Sequence, residues 1–162
     1  MEDTFYLLIA GSRGFAPGER FEYGGDILSS ETIMDTIGKA MLKTQIKLGR
    51  KICIVHGDAR GADTVGKQFG ERHGYDVKAF PAKWSLYGRS AGYIRNSEMY
   101  DFLKTKEYSG ALLFWDGTSR GTRNNFLQAF KRGVNIKCFK YLEQRFMSQE
   151  EMYEVYLECR YE

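Results

Sequence analysis

Gly110-Ala111-Leu112-Leu113-Phe114-Trp115-Asp116-Gly117-Thr118-Ser119-Arg120-Gly121-Thr122 is the stretch that decides the fold. The run Gly110–Phe114 is continuously apolar and too short for a helix, so it reads as a strand buried on both faces. Small and hydroxyl residues then turn the chain. A helix over Gly121–Arg132 follows, with Phe126, Ala129 and Phe130 on one face. A strand that feeds a helix through such a turn is half of a parallel βα unit. The turn leaves the helix's first N–H groups without intrahelical partners, and the positive end of the helix dipole points the same way. Ser119, Gly121 and Thr122 therefore read as a phosphate seat, with Arg120 and Arg123 adding charge.

The same alternation extends in both directions. Thr4–Ala10 is an apolar run ending at Gly11, and Gly11–Gly25 reads as a long polar loop. A helical pattern covers Ile27–Leu48, with Ile33, Ile37, Ala40, Met41 and Leu48 sharing a face, Ser29 or Ser30 as N-cap and Gly49 as the stop. Lys51–His56 is a second strand, and a turn then leads into a helix ending near Gly74. Asp76–Phe80 is a third strand, Pro81–Gly92 a loop and Tyr93–Lys104 a helix. Asn135–Phe139 is the fifth strand, after Gly133. Ser148-Gln149-Glu150-Glu151 caps a closing helix whose Met152, Tyr153, Tyr156 and Leu157 form an apolar stripe, to lie on the sheet or in a dimer contact. The expectation is a Rossmann-like α/β three-layer sandwich, with a mostly parallel sheet of five or slightly more strands and helices on both faces. One domain covers 1–162, with its core over 4–140 and the closing helix over 148–159.

Bulk numbers fit this. The chain has 162 residues, 43% hydrophobic and 28% charged, which is ordinary for a globular domain with a real core. No apolar run approaches the roughly 18 residues of a membrane span and no signal pattern opens the chain, so the expected compartment is the cytoplasm. Cys53, Cys138 and Cys159 lack metal-site or disulfide spacing, and Cys53 and Cys138 read as buried strand thiols. No metal and no cofactor is expected. The charge of +3, from 24 basic and 21 acidic residues, is too mild to point to nucleic acid. Its placement says more: Arg13, Arg60, Arg89, Arg95, Arg120 and Arg123 lie in or beside expected loops, which suits a small anion.

Three further loops share the carboxyl ends of the strands, where ligands of such folds bind near the reversal of strand order. Gly11-Ser12-Arg13-Gly14 reads as either a structural turn or a ligand loop, and it is not a dinucleotide fingerprint. In His56-Gly57-Asp58-Ala59-Arg60-Gly61-Ala62-Asp63, Asp58 suits a helix cap and Asp63 the first helical turn. His56 is a core histidine or an acid/base, while Arg60 has little packing reason to sit among glycines. Between Phe80 and Asn96, Trp84, Tyr87 and Tyr93 offer rings to a base or to the core, and Arg89 and Arg95 meet phosphate or ribose. Asp116 reads as a ribose acceptor or a helix-entry residue.

Read together, Gly-Ser-Arg, His-Gly-Asp-Ala-Arg-Gly-Ala-Asp, Phe-Pro-Ala-x-Trp, Ala-Gly-x-Ile-Arg-Asn-x-x-Met and Ser-Arg-Gly-Thr, spread over about residues 4–140, resemble the YspA-like branch of the SLOG superfamily. That superfamily includes the DprA/Smf DNA-processing proteins and the Lonely Guy phosphoribohydrolases. The resemblance implies a Rossmann-like fold in a bacterial or phage protein, a homo-oligomer, that binds a nucleotide or an NAD- or ADP-ribose-like molecule. The implied ligand-binding set is Gly11, Ser12, Arg13, Gly57, Asp58, Arg60, Gly61, Trp84, Arg89, Arg95, Asn96, Asp116, Ser119, Arg120, Gly121 and Thr122. Lonely Guy enzymes carry Gly-Thr-x-x-Glu and Met-x-x-Arg-Lys motifs whose Glu and Arg act at the ribosyl centre. Here Gly121-Thr122-Arg123-Asn124-Asn125 ends on an amide, Arg95 matches the arginine and Asn96 takes the lysine's place. A neutral amide does not serve as the carboxylate that N-glycosidic cleavage requires. Asp58, Asp63 and Asp116 are the acids available to substitute for it, and Arg95 and Asp116 are taken as the candidate catalytic groups. The expected function is therefore a sensor, sequestering or regulatory protein that holds a nucleotide-like phosphorylated ligand. An N-glycosidic hydrolase of nucleoside monophosphates or NAD-type substrates is the alternative, and single-stranded DNA binding a third reading.

Overall fold

The structure, a computed structural model, describes residues 3–161; Met1, Glu2 and Glu162, the ends of the expected domain, lie outside the described residues. Strand β1 (Thr4–Gly11) is the centre of the molecule. It pairs in parallel with β4 (Lys51–His56) on one side and β6 (Tyr108–Trp115) on the other. β5 (Asp76–Ala79) extends the sheet beyond β4, and β7 (Ile136–Lys140) extends it beyond β6. A two-residue strand, β8 (Arg145–Phe146), closes the β7 edge antiparallel, giving the order β5-β4-β1-β6-β7-β8. This is a Rossmann-like sandwich, with β1 and β6 flanking the point where the strand order reverses.

Alternation along β1 divides the core. Leu7 and Ile9 face α1 (Ser30–Lys47) and α2 (Ala62–Arg72), packing with Ile33, Met34, Ile37, Val65 and Phe69. Leu8 and Ala10 face α4 (Ala91–Lys104) and α5 (Arg120–Arg132), against Met99, Tyr100, Leu103 and Phe126. The final helix α6 (Gln149–Cys159) joins that second face through Met152. Its apolar stripe packs on α5, where the Tyr156 and Phe130 rings stack with centroids 5.3 Å apart, while Tyr153 stays half exposed. The three central strands β1, β4 and β6 carry near-continuous apolar runs because helices cover both faces, whereas β5 and β7 flank them with charged residues interspersed, and each fully buried Leu, Ile or Phe contributes about 1.5–3 kcal/mol.

Four local expectations are corrected. The segment read as a long loop ending at Gly25 holds a hairpin, β2 (Arg20–Tyr23) with β3 (Asp26–Ser29), turned at Gly24-Gly25. Phe21, Tyr23 and Leu28 alternate onto the α1 side of the core, a period-2 signal beside a two-residue glycine turn. Ile27 therefore belongs to a strand, and α1 starts at Ser30, with Ser29 Oγ accepting the Thr32 N–H at 3.2 Å. On α1 the buried face is Ile33, Met34, Ile37, Gly38 and Leu42, so Ala40 and Leu48 fall outside it. The expected loop over Pro81–Gly92 contains a one-turn helix, α3 (Trp84–Tyr87), and a 3₁₀ turn, Gly88–Ser90, with no buried residue in either.

Candidate functional site

A cleft of about 800 Å³ opens at the carboxyl ends of β4, β1 and β6, at the strand reversal. Ser12 ties its loops together. The Ser12 N–H donates to the Phe114 carbonyl at 2.8 Å, and its Oγ accepts the Asp116 N–H at 3.0 Å. Its carbonyl accepts the Ala62 N–H at 3.3 Å. These crossings demand close backbone approach. A Cβ on Gly11 would lie 2.1 Å from the Phe114 oxygen, and one on Gly61, at φ +85°, would lie 2.5 Å from the Arg13 Cα. Both of these glycines thus act by letting chains touch.

At the β6 end the Asp116 carboxylate is fully engaged. Oδ1 accepts the Thr118 and Ser119 N–H groups, each at 2.8 Å, and Oδ2 accepts the Ser119 hydroxyl at 2.6 Å. These donors hold its pKa below the usual carboxylate value despite the opposing cost of burial. Asp116 is thus the helix-entry residue, and the Ser119 side chain is used inside the loop. The first intrahelical bond of α5 runs from the Arg123 N–H to the Ser119 carbonyl at 3.0 Å, which leaves the Arg120, Gly121 and Thr122 amides ahead of it. Thr122 lines the cleft, and its hydroxyl is buried with no hydrogen-bond partner among the described residues.

At the β4 end Asp63 is 4% exposed. Its Oδ2 accepts the Gly57 N–H at 2.8 Å and the Ala59 N–H at 3.4 Å. Burial pushes its pKa up to about 6, against the opposing pull of the Arg95 guanidinium and these two amides. Arg95 sits inside α4 rather than beside a loop, donating Nη1–H to the Gly57 carbonyl and Nε–H to Asn96 Oδ1 at 2.9 Å. Asn96 in turn donates to Asn124 Oδ1 at 3.1 Å. Asp58 does not cap α2: Gly61 is the N-cap, and Asp58 adopts φ +57° with its N–H donated to His56 Nδ1 at 2.9 Å. His56 is a core histidine. Burial pushes its pKa down, and with Nδ1 accepting, its proton sits on the unpartnered Nε2.

Arg13, Arg60, Arg89 and Arg120 line the cleft and make no ion pair or side-chain hydrogen bond among the described residues. Trp84 and Tyr93, 56% and 47% exposed, present rings on the same wall, while Tyr87 lies outside the lining. All sixteen residues read from sequence as ligand-binding line this cleft except Gly61, which supports it from behind. Arg123 is turned away, pairing with Glu158 of α6 at 2.8 Å.

Sequence reasoning missed two anchors. Asn125 is buried, accepts the Tyr100 hydroxyl at 2.9 Å and donates to the Gly121 carbonyl at 3.1 Å, so it locks α5 to α4. Asp63 organises the β4 loop rather than only matching the α2 dipole. Its signal was an acid directly after Gly61-Ala62, within a turn whose neighbours Ala62 and Val65 are core residues.

Fold and site together define a Rossmann-like α/β protein with an arginine-lined cleft at the strand reversal. No protein-family model matches the chain, and no solved structure matches it. It is similar to the Gene 61 protein of Mycobacterium phage D29, with 33% identity over 96 residues that span 54% of this chain and 71% of that protein. The chain belongs to the family of that phage protein. Among the described residues no group of acidic, histidine or cysteine side chains is arranged to hold a metal ion, and no helix is long and apolar enough to cross a membrane.

Proposed function

We propose that this chain is a nucleotide-binding protein of the SLOG type, which holds a phosphorylated, nucleotide-like ligand in the cleft as a sensor or sequestering protein and does not cut it. The observation that carries the reading is the Thr122 hydroxyl, buried and unpartnered at the open N-terminus of α5, in a cleft that also presents four unpaired arginines. A buried hydroxyl without a partner costs about 1–3 kcal/mol, a cost removed when a phosphate oxygen accepts from it. The neighbouring amides and the helix dipole favour the same anion, and Trp84 and Tyr93 supply surface for a base. The cleft volume falls within the roughly 300–1,000 Å³ of small-molecule sites.

The engagement of Asn125 with Tyr100 and Gly121 argues against cleavage, because the amide at the position of the superfamily's glutamate is a packing element. The hydrolytic alternative draws on Asp63, a cleft-lining carboxyl whose pKa of about 6 suits acid/base work. It predicts release of free base from nucleoside monophosphates or NAD.

Thr122→Val tests the binding reading. Valine keeps the shape and removes the unsatisfied hydroxyl, so the unliganded variant is expected to be at least as stable as wild type, by up to about 1 kcal/mol. In a panel of nucleoside mono- and diphosphates, ADP-ribose and NAD, wild type is expected to show a ligand-dependent rise in melting temperature that the variant loses in large part. A wild-type protein that gains no stability and gives no calorimetric heat with any of them overturns the reading.

A further inference from the structure

The cleft is lined by three carboxylates, and only one accepts no hydrogen bond among the described residues. Both oxygens of Asp116 accept hydrogen bonds from its own loop. Asp63 is buried, binds the Gly57 and Ala59 amides and faces the charge of Arg95. Asp58 is exposed and lines the cleft; its carboxylate shares the field of the Arg95 guanidinium with Asp63 but makes no hydrogen bond or ion pair among the described residues. It stands two residues beyond β4, the strand beside β1 on the side away from the reversal.

Its backbone is held there deliberately. The φ of +57° is uncommon for a residue with a side chain. The conformation is held from three sides, by the Asp58 N–H on His56 Nδ1, the Asp63 carboxylate on the amides either side, and Arg95 on the Gly57 carbonyl. A carboxylate fixed among unpaired guanidiniums does nothing for anion binding; it repels the phosphate that the rest of the cleft attracts. What it suits is a neutral pair of donors on the same ligand. A vicinal diol on a sugar, next to the phosphate, supplies two O–H donors to two carboxylate oxygens. A carboxylate accepts a ribose hydroxyl in this way in dinucleotide-binding folds.

We infer that Asp58 is the residue that reads ribose in this cleft, selecting nucleotides with free 2′- and 3′-hydroxyls over deoxy, 2′-phosphorylated or purely inorganic anions. The inference rests on the nucleotide reading above and goes further, in naming the sugar as a recognised part of the ligand and the side chain that recognises it.

The test is calorimetric titration of the intact protein with ribonucleoside 5′-diphosphates of the four bases, their 2′,3′-dideoxy counterparts and inorganic pyrophosphate. Two variants are compared with wild type. Asp58→Asn keeps a residue that tolerates positive φ, and Asp58→Gly removes the side chain where glycine is at ease. Wild type is expected to prefer the best ribonucleotide over its dideoxy form by about 10- to 100-fold, the worth of one or two charge-assisted hydrogen bonds. Asp58→Gly is expected to abolish that preference while binding pyrophosphate as tightly as wild type or more tightly, with Asp58→Asn between the two. Equal binding of ribo and dideoxy forms by wild type overturns the inference and leaves the nucleotide reading standing. So does a variant that weakens every ligand, pyrophosphate included, by the same factor. Failure of wild type to bind any nucleotide overturns both.

Discussion

Asn125 shows how one side chain can mislead and then inform. Beside the Lonely Guy motif that the sequence resembles, it reads as an amide where an acid is expected, and its surroundings show what the amide does. The amide donates to the Gly121 carbonyl and accepts from the Tyr100 hydroxyl, and both neighbours are fixed by α5 and α4. A carboxylate in its place would keep the Tyr100 bond. It would also set a negative charge against the Gly121 carbonyl oxygen inside a buried site, with no cation assigned to it. Asn125→Asp is therefore expected to lower unfolding free energy by about 1–3 kcal/mol, and by more if the charge stays ionised. It is not expected to create base-releasing activity. Urea denaturation and a base-release assay check the two halves separately, and a variant as stable as wild type would show that the site relaxes more easily than this geometry allows.

At the scale of elements, the closing helix is set by its first turn. Ser148 Oγ accepts the Glu151 N–H at 3.1 Å, and Glu151 reaches back to the Ser148 N–H at 2.9 Å. Glu151 also takes a two-pronged contact from Arg145 in β8, which is foremost in holding its pKa down at about 2. Ser148→Ala is expected to cost about 1 kcal/mol, seen as a lower urea midpoint with an unchanged slope. This element was legible in the sequence because a capping box is a local pattern. The central strands β1, β4 and β6 were legible for the same kind of reason, since their continuous apolar runs admit little else. The β2–β3 hairpin was not, because glycines and charged residues outweighed the alternation of Phe21, Tyr23 and Leu28. β8 is two residues long and is defined by its partner β7 rather than by its own sequence. In the cleft, the lining residues were legible from small-residue turns at strand ends. Which acid is free, Asp58, and which is used up, Asp116, depends on hydrogen bonds between loops that no spacing encodes.

Across the whole molecule, ionisable groups pull stability in opposite directions with pH. Asp35, held low by Arg72 and His73, and Glu151, held low by Arg145, are more acidic folded than unfolded. Their contribution is present above the unfolded carboxylate value near 4 and fades as pH falls through their folded values. Asp63 has the opposite sign. Its folded value of about 6 lies above the ordinary 3.8, so its contribution is complete below pH 4 and is lost as pH rises through 6. At roughly 1.4 kcal/mol for each pH unit of displacement, keeping Asp63 charged at neutral pH costs up to about 3 kcal/mol. The fold bears that cost because the charged oxygen organises the Gly57–Ala59 loop, from which Asp58 and Arg60 reach the cleft. The neutral isostere Asp63→Asn isolates the effect, because it keeps the side chain's shape and removes its titration. Measured by urea at several pH values from 4 to 7, the stability of wild type relative to Asp63→Asn is expected to decline by up to about 3 kcal/mol, mostly between pH 4 and 6.5. Curves that run parallel over that range would mean that Asp63 titrates as an ordinary surface acid, and that the loop presenting Asp58 is held by something other than its charge.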